Sequence, residues 1–276
     1  MFIIFLSFFK TQGFNAIQFI GLKNYIEVFE NAWFTSALRN TVLYVLWSIV
    51  IGFAIPVFLG LFLSEVIHFK SLFKVMIYLP NMIPGIAIVL IWSFFLSPER
   101  SGSANQILQS LGLGSSLWFD DDNLIKPLII VTLTWRGAGS SALIYLASFQ
   151  NIDQSLYEAS TLDGANSFQK IWYISLPAIM GLIKMMFLLQ VISIFQIFYE
   201  PLILGKLNRP EAISLMQLVH RFAFVETNKA GHAAALGVML TFLLIGLSLV
   251  YMKITNEREP GKKAGKLFSK PGKEAL

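Results

Sequence analysis

The sequence predicts an all-α polytopic membrane helical bundle with five full spans and a short apolar segment at the amino terminus. Two observations carry that prediction. Hydrophobic residues make up 55% of the 276-residue chain and charged residues only 13%, with a mean hydropathy of +0.66, outside the composition of a soluble globular domain. Apolar runs of about 20 residues or more, long enough to cross a hydrocarbon core, recur five times between short polar connections. The chain has no cysteine, which excludes a disulfide framework, a thiolate nucleophile and a Cys metal site.

Met1 to Phe9 is apolar but too short to cross a core about 30 Å thick. Lys10 to Ser36 mixes polar and aromatic residues and reads as a connection at the outer surface. The first full span, about Leu38 to Leu63, contains Pro56, which predicts a kink. Glu65, His68, Lys70 and Lys74 then form a short, net basic, cytoplasmic connection in which His68 is solvated rather than a ligand.

The second span, about Leu72 to Leu96, contains Pro80, Pro84 and Gly85. Such a break is tolerated inside a membrane only where protein or a water-filled cavity receives the freed carbonyls. With Asn81 in it, the stretch reads either as a packing kink or as a helix bent around a translocation path. Pro98 to Lys126 is polar and holds Asp120, Asp121 and Asp122. Adjacent carboxylates on one loop do not converge on a metal without further ligands, so the expectation is a solvated outer loop able to touch an external partner, and no metal site.

The third span, about Leu124 to Phe149, carries Arg136 near its middle. A charge at that depth costs roughly 2.5–3.5 kcal/mol, so it must face the bundle interior or a cavity. Arg136 either pairs with a carboxylate such as Glu200 or with helix-end carbonyls, or it meets a substrate.

Ser155 to Pro177 is a polar, amphipathic insert between apolar runs and reads as a membrane-surface element. Ser155 and Glu158 fit a capping box, which starts a helix near Leu156. Gly164 suits the left-handed residue that ends it after Asp163. Asn166 or Ser167 then caps a second short helix with an apolar face of Phe168, Ile171 and Trp172, and Pro177 suits the first turn of the next membrane helix.

That helix runs from about Leu176 to Ile203, with Gln190, Ser193 and Gln196 on one face. Uncharged hydrogen-bonding groups there suit a neutral polyol, and equally suit helix–helix association. Gly205 to Lys229 returns to the outside. Ala233 to Met252 is the last span, flanked or lined by Gly231, Ala233, Ala234, Ala235 and Gly237, which permit close helix approach. From Lys253 onward seven cations face three carboxylates, so the tail carries +4 of the chain's +5 net charge and reads as cytoplasmic. No basic folded surface or aromatic platform goes with it, so nucleic acid is not expected as a partner.

Glu158, Ala159 and Ser160, then Gly164, then Ile174, Leu176 and Pro177 resemble the EAA loop of ATP-binding-cassette importer permeases. Tyr157, Asp163, Ala165, Phe168 and Trp172 around them are similar to the maltose-type sugar-permease version, and Ser160 stands where the family usually has Ala. Gly21 to Tyr25, Ala37 to Thr41, Tyr78 to Gly85 and Gly231 to Leu240 look like further family segments, so the resemblance covers nearly the whole chain.

The resemblance implies a type I ABC importer transmembrane domain over residues 1–253, with a coupling loop at 150–177 and a basic cytoplasmic tail at 254–276. Tyr157, Glu158, Ala159, Ser160, Asp163, Gly164, Ala165 and Phe168 would meet the ATPase. Asn81, Trp135, Arg136, Gln190, Ser193 and Gln196 would lie near the path of a sugar or oligosaccharide, with Trp135 able to stack on a sugar ring. The implied partners are a second homologous permease, two ABC ATPase subunits, an extracytoplasmic solute-binding protein and the lipid bilayer of a bacterial inner membrane.

Sugar permeases usually begin with a complete span where this chain has Met1 to Phe9, so either the chain starts late or its first helix extends upstream. Six crossings from an inside amino terminus put residues 65–74, the coupling loop and the carboxy terminus on the cytoplasmic face. The chain has no Gly-x-x-x-x-Gly-Lys-Ser/Thr phosphate loop; in Gly261 to Lys266 the glycines stand one residue too close. It is therefore expected to bind no cofactor, with ATP and Mg used by the partner, and to have no catalytic residues, since His68, His220 and His232 show neither metal-ligand spacing nor a paired nucleophile. An ion-coupled secondary transporter is the alternative, and Arg136 leaves a glycerol-phosphate-type solute open.

Overall fold

The computed structural model of the chain describes residues 2–65, 69–206 and 209–256. The expectations for His68, for the tail cations from Arg258 onward and for Gly261 to Lys266 fall outside them. The chain divides into two compact units, Met1–Val238 and Met239–Leu276.

Three helices are long and apolar enough to cross a membrane: Ala32–Glu65, Ile125–Gln150 and Ala230–Thr255. Two further pairs pass the same test only together, Lys70–Met82 with Gly85–Phe95 and Ser167–Ala178 with Met180–Phe195, bent by 94° and 68°. The chain thus has up to five spans when each bent pair counts as one. Val50, Phe58, Phe62 and Phe94 on these helices are exposed, as side chains facing lipid must be.

The first span is capped by Asn31, whose side chain accepts from the Trp33 amide at 2.9 Å. Its middle widens into a π-helical turn, Ser48–Gly52. Pro56 has no N–H to give the Gly52 carbonyl four residues back, and the widened turn redistributes the carbonyls there. Gln190 Nε2 donates to the Ser48 carbonyl at 2.7 Å.

The break expected in the second span, Leu72 to Leu96, is present, and it splits that span into two helices instead of bending one. Pro84 cannot donate to the Pro80 carbonyl, which instead accepts from Ile83 at 3.3 Å. Ile83 is extended, as a residue before proline prefers to be, and a new helix starts at Gly85. The expected continuous helix from Leu176 to Ile203 is corrected: it breaks at Ile179, ends at Phe195, and is followed by a separate helix, Tyr199–Leu204. Pro201 sits in the first turn of that helix, where a missing N–H costs nothing.

The central span Ile125–Gln150 is the axis on which these pack. An added Cβ at Gly60 would stand 2.7 Å from Tyr145 Cβ, and one at Gly139 would stand 2.0 Å from the Ile77 carbonyl oxygen, so two neighbouring backbones touch this helix directly. Tyr44, Val89, Ile125, Ile129, Ile194 and Leu204 form one core. Tyr145, Phe149 and Ile179 form a second, nearer the 150–177 loop.

The amino-terminal region departs from an all-helical reading. Phe9–Gln12 pairs antiparallel with Asn15–Phe19, with an irregularity between Lys10 and Thr11, because Gly13 takes a φ of +56° in the turn. Asn24, on the helix Lys23–Glu30, donates to the Ser7 and Phe9 carbonyls at 2.8 and 2.9 Å. An added Cβ at Gly231 would stand 2.6 Å from the Phe9 carbonyl oxygen, so this small residue serves the hairpin.

The Pro98 to Lys126 segment is not simply solvated, which corrects that expectation. It contains a helix, Ser103–Ser110, and the buried Asn105 amide donates to the carbonyls of Ser97, Pro98, Glu99 and Ser116 at 3.0–3.2 Å. Asp120 pairs with Lys206 at 2.6 Å, and Asp122 pairs with Arg209. Each of these two carboxylates thus has its own cation, and Arg209 belongs to the segment 209–215.

That segment is held on the first span by Asn40, which donates to the Pro210 and Ile213 carbonyls at 2.7 and 3.1 Å, and by Tyr44, whose hydroxyl donates to the Ala212 carbonyl at 2.7 Å. Replacing Asn40, which is 1% exposed, with Ala leaves the buried Ile213 carbonyl and the part-buried Pro210 carbonyl without this donor. Stability should fall by about 1–3 kcal/mol, read as a lower melting temperature of the detergent-purified complex.

Candidate functional site

The 150–177 loop folds as two short helices around a glycine turn. The first, Gln154–Leu162, is capped by Asp153, whose carboxylate accepts from the Ser155 amide at 2.9 Å. This corrects the Ser155–Glu158 capping box. A charged acceptor two residues upstream also meets the positive end of the helix dipole, which places Ser155 inside the first turn. Hydrogen bonds from the Ser155 amide and then its hydroxyl hold the Asp153 carboxyl below its ordinary value. The cap is therefore fully present above the ordinary carboxylate pKa and is lost only as pH falls through the depressed one.

The helix ends in a Schellman turn. The Ala165 amide donates to the Ser160 carbonyl at 2.9 Å and the Gly164 amide to the Thr161 carbonyl at 3.1 Å, with Gly164 at a φ of +78°. Asn166 then opens the second helix with a complete capping box to Gln169, its side chain accepting from the Gln169 amide at 2.9 Å, which bears out Asn166 as the cap. The two helices are clasped by Tyr157 Oη to Ser175 Oγ at 2.8 Å and by Lys170 Nζ donating to Thr161 Oγ1 at 2.8 Å. Replacing Tyr157 with Phe should cost about 1 kcal/mol of local order, read as roughly fivefold faster amide exchange over residues 154–175.

Of the predicted coupling residues, Glu158, Ala159, Asp163, Gly164 and Phe168 are exposed, while Tyr157, Ser160 and Ala165 are partly buried. Sequence reasoning missed Leu162 and Tyr173, which are 90% and 80% exposed beside Phe168 at 68%. Their signal was available: both are apolar residues inside a polar insert, one on each side of the turn. A groove of about 920 Å³ brings Glu65 and Lys70, on the connection after the first span, together with Tyr157, Glu158 and Lys170. Glu65 and Lys70 therefore lie at the same end of the bundle as the loop.

A second cavity, of about 420 Å³, lies among the first, central and fourth spans and the break of the second, within the roughly 300–1,000 Å³ of small-molecule sites. Asn81, Arg136, Gln190 and Ser193 line it, joined by Ser48, Thr134 and Ser141, which sequence reasoning missed. Trp135 and Gln196 are not on its wall. Trp135 lies one residue around the helix from Arg136 and meets Trp92 edge-on at 5.9 Å. Gln196 falls past the last helical residue, Phe195, so the spacing of three no longer carries it onto the face of Gln190 and Ser193.

Arg136 Nη1 is 3.6 Å from Glu200 Oε1, and Glu200 is buried. The guanidinium also lies over Gly85, where an added Cβ would stand 2.9 Å from Nη1. Of the two readings of Arg136, the carboxylate pairing is present.

Comparison with known proteins agrees with this architecture. The family model described as "Binding-protein-dependent transport system inner membrane component" matches residues 45–256. The probable ABC transporter permease protein YurN of Bacillus subtilis (strain 168) is 34% identical over 262 residues, covering 91% of this chain and 87% of that protein. The arabinooligosaccharides transport system permease protein AraP of the same organism is 29% identical over 241 residues, covering 87% and 77%. A crystal structure of a bacterial alginate ABC transporter, in complex with alginate pentasaccharide-bound periplasmic protein, contains a chain that superposes with a TM-score of 0.80 at 25% identity, over 86% of this chain and 83% of that one. The chain belongs to the family of binding-protein-dependent transport system inner membrane components and is the multi-pass permease subunit of an ABC importer.

Proposed function

We propose that this permease forms part of the path for a sugar or oligosaccharide and is driven through residues 150–177 by a separate ATPase. The observation that carries the coupling role is that Leu162, Phe168 and Tyr173, on either side of the left-handed Gly164 turn, are large exposed side chains. In water such a surface is unfavourable unless a partner covers it. The partner fits an ABC ATPase, since this sequence has no phosphate loop of its own; ATP and Mg belong to that subunit. A second permease, two ATPase subunits and a substrate-specific binding protein complete the importer. The shared end of Glu65, Lys70 and the loop supports a cytoplasmic location for all three, and the basic tail supports a cytoplasmic carboxy terminus.

The substrate class rests on the cavity and on the relatives. Asn81, Thr134, Ser141 and Ser193 offer uncharged donors and acceptors, and the charge of Arg136 is balanced by Glu200, which suits hydroxyl-rich neutral solutes. By their descriptions, AraP transports arabinooligosaccharides and the structural neighbour transports alginate, which supports a saccharide but not its charge. Reconstituting the chain with its ATPase, second permease and binding protein tests the proposal. Saccharide-dependent ATP hydrolysis is expected. Uptake by this chain alone, driven by an ion gradient, would instead identify a secondary transporter.

A further inference from the structure

We infer that Glu200 sets the charge preference of the transport path by neutralising Arg136 at the cavity wall; this rests on the proposal that the 420 Å³ cavity belongs to that path. Arg136 is the one Lys, Arg, Asp or Glu lining this cavity among the described residues, and its side chain is 37% exposed, so its field reaches the cavity space. The neutralising charge comes from outside the wall. Glu200 does not line the cavity; its side chain is 6% exposed and stands 3.6 Å behind the guanidinium.

Three independent elements fix this geometry. Arg136 is held in the middle of the rigid central span. Glu200 is carried by the short helix Tyr199–Leu204, which holds Pro201 in its first turn and whose Leu204 is buried in the core with Val89 and Ile129. Gly85, at the break of the second span, leaves room for the guanidinium, because any side chain there would meet Nη1, Cζ and Nη2 within 3.1 Å.

The consequence is electrostatic. With both charges present, a carboxylate or phosphate entering the cavity meets nearly cancelling potentials, and a neutral polyol finds only hydrogen-bonding groups. Without Glu200 the wall presents a full positive charge in a poorly screened space, where a unit charge at cavity distances changes affinity by roughly tenfold or more. Glu200 is thus a positioning and charge-setting residue that acts through Arg136.

The test uses the assembled complex without binding protein, so that the cavity alone is read, with radiolabelled trigalacturonate and uncharged galactotriose as probes. Glu200→Gln, which preserves side-chain volume, should tighten trigalacturonate binding about tenfold or more and leave galactotriose within about twofold. The gain should vanish in Arg136→Gln/Glu200→Gln. An equal effect on both probes, or a gain that survives in the double variant, overturns the inference. Should Glu200→Gln fail to assemble, Arg136→Gln reads the same pair with opposite sign: trigalacturonate must weaken about tenfold more than galactotriose, and equal weakening overturns the inference. Failure of every uncharged saccharide to stimulate the wild-type complex would sink the neutral-sugar proposal alone, because the charge effect of Glu200→Gln is read independently of it.

Discussion

Replacing Gly164 with Val is expected to cut substrate-stimulated ATP hydrolysis and transport by roughly five- to thirtyfold while leaving membrane insertion and the yield of the complex unchanged. Nothing lies within 4 Å of where a Cβ would stand at Gly164, and its φ is +78°. The penalty is therefore conformational: a β-branched residue in the left-handed region costs about 1–2 kcal/mol. The chain relieves that strain by opening the Schellman turn, losing the Ala165-to-Ser160 and Gly164-to-Thr161 hydrogen bonds. Leu162 and Phe168, on opposite sides of the turn, then change their relative placement. A steady-state ATPase assay on the purified complex, beside a blot for assembled permease, separates the two effects. Wild-type stimulation in the variant would remove the turn from the coupling mechanism.

Replacing Gly139 with Ala is expected to do the reverse and fail at assembly. The added Cβ would overlap the Ile77 carbonyl oxygen at 2.0 Å and its carbon at 2.6 Å. Backbone cannot swing aside as a side-chain tip does, so Lys70–Met82 must leave the central span. Overpacking of this kind costs about 1–3 kcal/mol or more, and here it also displaces Asn81 from the cavity. The yield of folded complex should fall severalfold and its melting temperature should drop. Gly137, two residues away with nothing within 4 Å of an added Cβ, is the matched control at which Ala should be tolerated.

The fold was legible where a residue has one physical use. Charge depletion and apolar run length gave the spans, Gly164 gave the turn, and the second cap, Asn166, was one of the two candidates with Ser167. Features that depend on competition were not. The Ser155-x-x-Glu158 pattern fits a capping box, yet Asp153 stands two residues earlier and takes the cap. Pro80, Pro84 and Gly85 announce a break, but its 94° angle is set by packing on the central span. The Phe9–Phe19 hairpin needs only Gly13 in its turn and lacks the alternating pattern of a half-buried strand; its pattern is mostly exposed.

In the site, spacing on an ideal helix found Gln190 and Ser193 but carried Gln196 past the helix end. Residue type suggested Trp135 as a stacking platform; it meets Trp92 edge-on and lies off the cavity wall. Ser48 entered the cavity wall through the π-helical turn, which shifts residues out of the register that a regular helix gives.

The central claim is that the Gly164 turn receives force from another protein on the inner side of the membrane. Because the chain has no cysteine, Leu162→Cys introduces a unique thiol at a position that is 90% exposed. In inside-out vesicles of the assembled importer, a short bifunctional reagent should link that thiol to the ATPase subunit, with a yield that changes between nucleotide-free and ATP-bound complexes. Labelling of the thiol only from the outer face, or an undiminished and ATP-insensitive reaction with soluble maleimide when the ATPase is bound, would contradict the account.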